Sequence, residues 1–74
     1  MGKTIYSRGH KLLVERLKKA RIEAGVGQEE AAKMLKKSQS YISKIESGQR
    51  RIDVVQLDEF AKAYKKPITY FLKG

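Results

Sequence analysis

The apolar positions Leu13, Val14, Leu17, Ala20 and Ala24 recur at the three- and four-residue spacing of one helix face. They predict a first helix over residues 7–24, opening at Ser7 and closed by Gly25 as its C-cap. Arg21 falls inside that stripe, where an unpaired guanidinium is costly, so it must reach a carboxylate, and Glu46 is the best placed. A second helix starts at Gln28 with Gly27 near its N-cap and Glu29 and Glu30 in its first turn, where carboxylates suit the positive helix end. Its inner face is Ala31, Ala32 and Leu35. Ala32 is small where this helix crosses the next one closely, although alanine is also an ordinary helix residue. A third helix runs over 38–47 and ends at Gly48. Asp53 with Gln56 three residues on opens a fourth, which turns Val54, Leu57, Phe60, Ala61 and Tyr64 inward. Pro67 forbids its continuation and suits the first turn of a short last helix over 68–72. With no repeat, linker or low-complexity segment, residues 1–74 read as one all-α, five-helix domain.

The third helix carries the chemistry. At about 100° per residue, Ser38, Ile42 and Ile45 point one way with Tyr41 and Glu46 at the edges, while Gln39, Ser40, Ser43, Lys44 and Ser47 point the other. A face turned merely to water favours strong helix formers such as Glu, Lys, Arg and Ala, and serine is mediocre in a helix interior. Short hydrogen-bonding side chains on an exposed helix suit the edges of base pairs. Residues 28–47 therefore read as two short helices at the spacing of a helix-turn-helix.

Charge narrows the partner. The 74 residues hold 17 Lys and Arg against 8 Asp and Glu, a formal charge of +9, so a polyanion is expected. The excess is local. Lys36, Lys37, Lys44, Arg50 and Arg51 face only Glu46 between positions 36 and 51, whereas Lys62 faces Asp53, Asp58 and Glu59 between 53 and 64. Basic charge around a reading helix is the footprint phosphates require. No apolar run approaches about 18 residues and the first residues lack the apolar core of a signal peptide, so a soluble, intracellular protein is expected. Without cysteine, and with His10 alone, disulfides and thiolate chemistry are excluded and little remains for a zinc site. No cofactor, metal or small-molecule ligand is implied.

The stretches GQEEAAKML, SQSYISKIESGQRR and IDVVQLDEFAKAYKKPITYFL, with an N-terminal IYSRGHKLLVERLKKARIEAG, resemble the phage repressor and Cro type of helix-turn-helix protein, the Xre family, over nearly the whole chain. The resemblance implies a compact five-helix lambda-repressor-like domain, bacterial or phage-encoded, cytoplasmic and nucleoid-associated. Gln28 then corresponds to the family's glutamine that binds a backbone phosphate and braces the first residue of the reading helix, here Gln39. Gln39, Ser40 and Lys44 take the positions that reach base edges, with Ser43 able to touch base or phosphate. Ser38 and Lys37 fall among the phosphate contacts, as do Arg50 and Arg51 in the loop after the reading helix. Arg21 and Glu46 match an interhelical ion pair. Two residues depart from the pattern: Lys36 stands where the turn usually has glycine, and Lys37 where it usually has an apolar residue. A lysine held at positive φ costs about 1 kcal/mol.

The expected function is sequence-specific binding of double-stranded DNA by a transcriptional regulator, with the reading helix in the major groove. A glutamine amide donates to N7 and accepts from N6 of adenine, which makes Gln39 the candidate for an A·T preference. Lys44 reaches either guanine O6 and N7 or a phosphate, and for Ser43 and Ser47 plain solvation is the stronger reading. Because one module makes few base contacts, a homodimer on a pseudo-palindromic operator is expected, through Val55 or through Tyr70, Phe71 and Leu72 if these are not core. Catalysis is not expected: no Ser or carboxylate has a His or Lys base at motif spacing, no loop cradles phosphate, and the adjacent Glu29 and Glu30 point to different sides. A membrane-surface helix would set its cations opposite a wide apolar face, and an RNA module would expose aromatics, of which Tyr41 alone lies near the reading face. The remaining alternative is an antitoxin-like protein-interaction module with secondary DNA binding, though no spare segment for such a contact is visible.

Overall fold

A computed structural model describes residues 8–72, and the proposed helix start at Ser7 lies outside them. The helices are α1 (Arg8–Glu23), α2 (Gln28–Leu35), α3 (Gln39–Glu46), α4 (Val54–Ala63) and α5 (Thr69–Leu72). α1 packs against α3 and α5, and α2 against α3 and α4. Leu17, Ala20, Ala31, Ala32, Ile42, Ile45, Leu57, Phe60, Ala61, Tyr64 and Phe71 form the core between them. Ala31 and Ala32 are both buried, and their small side chains let α2 pack against α3 and α4.

Four chain reversals use one device. After α1, α2, α3 and α4, the amides of Val26, Lys37, Gln49 and Lys66 each donate to the carbonyl five residues back, those of Arg21, Ala32, Lys44 and Ala61. This closure of a helix C-terminus requires one residue in the left-handed region. Gly25 (φ 78°) and Gly48 (φ 84°) adopt it freely, but Lys36 and Lys65 also adopt it, each at φ 58°. The departure at Lys36 thus leaves the turn geometry intact and places a side chain in a region that disfavours one. Lys36→Gly is expected to raise stability by up to about 1 kcal/mol in urea or thermal denaturation. A comparable loss would be the signature of glycine in a helix interior instead.

Three residues sit differently from their wheel positions. Ala24 is exposed because α1 has already ended. Ser38 is exposed rather than inward: it is the N-cap of α3, with φ −85° and ψ 158°, and a helical wheel does not apply to extended backbone. Val54 is 68% exposed although Leu57 on the same stripe is 4% exposed, so the first turn of α4 overhangs the core. Asp53 and Gln56 form the expected capping box, each side chain accepting from the other's backbone N–H at 2.8 and 3.0 Å. The last helix is one residue shorter than its pattern, and it buries Phe71 while leaving Leu72 61% exposed.

Candidate nucleic-acid interface

α3 is held by its apolar side and capped at both ends. Ile42 and Ile45 are buried, the Ser38 hydroxyl accepts from the Tyr41 N–H at 3.1 Å, and Gly48 turns the chain back so that the amides of Gln49 and Arg50 both donate to the Lys44 carbonyl. The opposite face carries Gln39, Ser40, Ser43 and Lys44, all exposed. Among the described residues, none of these four side chains makes a hydrogen bond or ion pair within the protein. Ser47 differs, because its hydroxyl donates to the Lys44 carbonyl at 3.1 Å and so serves its own helix. Lys37, Arg50 and Arg51 are exposed beside that face.

One carboxylate fixes the back of the reading helix. Arg21 donates to Glu46 through Nε at 2.7 Å and Nη2 at 3.2 Å, and through Nη1 to the Val26 carbonyl at 2.9 Å. Gln28 Nε2 donates to the same carboxylate at 3.1 Å. Glu46 on α3 thereby joins the end of α1 to the start of α2. The side chains are 11% and 6% exposed for Arg21 and Glu46. The hydrogen bond to Glu46 raises the Arg21 pKa above its ordinary value against the opposing effect of burial. Tyr64 lies close by, and its hydroxyl is pushed up to about 12, first by burial and then by the Glu46 charge. Gln28 is therefore committed to Glu46, and its side chain is not hydrogen-bonded to Gln39 as the resemblance implied. Charge explains the difference, since a carboxylate is a stronger acceptor than a neutral amide.

A feature not legible from spacing is the aromatic seat beside α3. Tyr41 is half-buried and stacks on Phe60 with ring centroids 6.3 Å apart and planes 9° from parallel. Phe60 in turn meets Tyr64 at 5.8 Å. Lys37 Nζ lies 5.3 Å and Arg50 Cζ 5.0 Å from the Tyr41 centroid. Burial raises the Tyr41 pKa, with Arg50 acting in the opposite direction. The only advance signal was Tyr41's place at the edge of the apolar stripe.

No group of three or more potential metal ligands occurs among the described residues, and no helix there is long and apolar enough to cross a membrane. A helix locked from behind, presenting unpaired polar side chains between flanking cations, defines a DNA-binding protein of the helix-turn-helix class. The Helix-turn-helix family model matches residues 17–71, and the chain belongs to that family. Among solved structures it is similar to a single-substitution mutant of the restriction-modification controller protein C.Esp1396I, with a TM-score of 0.80 and 28% identity over 88% of this chain and 87% of that one. It is also similar to the restriction-modification controller protein C.AhdI from Aeromonas hydrophila, with a TM-score of 0.77 and 26% identity over 84% of this chain and 94% of that one. A comparison with curated proteins gave no match. The protein is a sequence-specific DNA-binding transcriptional regulator.

Proposed function

We propose that the protein is a non-enzymatic, cytoplasmic operator-binding controller, of the kind its two structural neighbours represent, acting as a homodimer on a pseudo-palindromic site. The observation that carries this is the exposed face of α3, where Gln39, Ser40, Ser43 and Lys44 leave their hydrogen-bonding capacity unused within the fold. Gln39 and Ser40, at the N-terminal end that enters the major groove first, read base edges, and Lys44 and Ser43 continue the surface one turn on. Lys37, Arg50 and Arg51 neutralise phosphates on either side. Ser38 retains its O–H for a phosphate while its oxygen caps the helix. Gln28 at the start of α2 is the further phosphate contact that the family resemblance implies.

For the dimer seam, Phe71 is withdrawn because it is 1% exposed and Tyr70 is half-buried, whereas Val55 at 65% and Leu72 at 61% remain open and Val54 at 68% joins them. Selecting bound duplexes from a random pool tests the whole reading. A dyad with half-sites about one helical turn apart supports it, and a single undivided site overturns the dimer. Arg50→Ala and Arg51→Ala are each expected to weaken binding to every sequence and to lower the log–log salt slope by about one. An unchanged slope in a fully folded variant would remove that arginine from the phosphate contacts.

A further inference from the structure

Some cations of this chain are held by carboxylates and others lie over aromatic rings. Arg21 pairs with Glu46 at 2.7 Å, Lys62 with Asp58 at 3.1 Å and Lys66 with Glu23 at 2.9 Å, while Arg16 and Lys66 lie 5.1 and 4.8 Å from the centroid of the Tyr70 ring. The side chains of Lys37 and Arg50 make no hydrogen bond or ion pair among the described residues, and yet each is seated, 5.3 and 5.0 Å from the centroid of one ring, that of Tyr41. They come from opposite ends of α3, Lys37 from the turn before it and Arg50 from the loop after it. The ring is itself fixed, because its stacking partner Phe60 is 2% exposed in the core.

A π face attracts a cation without taking its N–H donors or neutralising its charge. A carboxylate takes both. We propose that Tyr41 is a positioning residue for DNA binding: its ring pre-places Lys37 and Arg50 as a pair of phosphate ligands while leaving their charge and donors available. The proposal rests on the reading that these two residues bind phosphate. Without the ring, each long side chain samples many rotamers, and apparent affinity falls with the fraction of time it occupies the competent one. An exposed cation–π contact changes such a population by up to a factor of about 5, so two together set a ceiling of about 25-fold.

The test compares Tyr41→Phe, Tyr41→Leu, the double variant Lys37→Ala/Arg50→Ala, and the triple variant that adds Tyr41→Leu to it. Each is titrated against an unrelated DNA duplex over a range of salt concentrations, with folding checked by circular dichroism. Tyr41→Phe keeps the ring and is expected to bind as the wild type does. Tyr41→Leu is expected to lose affinity several-fold with an unchanged salt slope, because the same phosphates are still neutralised. The triple variant is expected to bind no more weakly than the double one, since the ring then has no cation to place. If the double variant lowers the slope but Tyr41→Leu costs as much in its presence as in the wild type, the positioning role is overturned and the phosphate contacts stand. If the double variant leaves the slope unchanged, the phosphate reading itself fails and the positioning role with it. Should Tyr41→Leu fail to fold, proton NMR of the wild type and Tyr41→Phe decides. The Arg50 δ- and Lys37 ε-methylene protons are expected upfield of their unstructured positions, and unshifted signals overturn the proposal.

Discussion

Glu46→Ala is expected to destabilise the protein by up to about 3 kcal/mol, a large part of the stability of a domain this size. Glu46 accepts two bonds from Arg21 and one from Gln28, and it is 6% exposed at the side chain. Its removal leaves a guanidinium 11% exposed with only the Val26 carbonyl as partner. A half-buried charge stranded in this way costs more than the loss of a surface ion pair, which rarely exceeds about 1 kcal/mol. The double variant Arg21→Met/Glu46→Leu removes both charges and is expected to recover much of the loss. Urea denaturation of the three proteins measures this directly. A loss below about 1 kcal/mol for Glu46→Ala would show that water screens the pair.

The second large effect falls on binding. Gln39→Ala is expected to cost about 1 to 3 kcal/mol on the preferred site, to relax choice at one base position, and to leave weak nonspecific binding almost unchanged. Gln39 is the first residue of α3, exposed, and its amide has no partner within the fold, so nothing competes with a base for it. A Gln39→Ala loss equal on preferred and unrelated duplexes would assign the residue to the backbone instead of the bases.

The elements of the fold were legible because each had two agreeing signals. Asp53 and Gln56 announced the start of α4 while Leu57, Phe60 and Ala61 gave its face, and Gly25 closed α1 where its stripe ended. What escaped were positions where direction alone was known. A wheel assigns Val54 to the inner stripe but cannot say that no neighbour reaches that far. It treats Ser38 as helical although an N-cap is extended. Lys65 gave no warning of its left-handed backbone, because lysine carries none of the signal glycine does, and the same conformation at Lys36 was suspected only through the resemblance. In the interface, the Arg21 to Glu46 contact followed from a charge stranded in an apolar stripe. The Gln28 bond to Glu46 did not, since which of two acceptors a glutamine chooses depends on distances that no spacing rule contains. The cluster of Lys37 and Arg50 on Tyr41 joins residues 13 positions apart through a loop whose path only the structure gives.

The knot at Glu46 also bears on the speed of recognition. By tying α1, α2 and α3 to one carboxylate it sets the backbone frame of the reading surface before contact. Arrival is then governed by long-range attraction between a +9 chain and the phosphates, which is fast at low ionic strength and nearly blind to sequence. Correct and incorrect sites are consequently approached at similar rates. They differ in residence time, so the operator is distinguished by how slowly the protein leaves it.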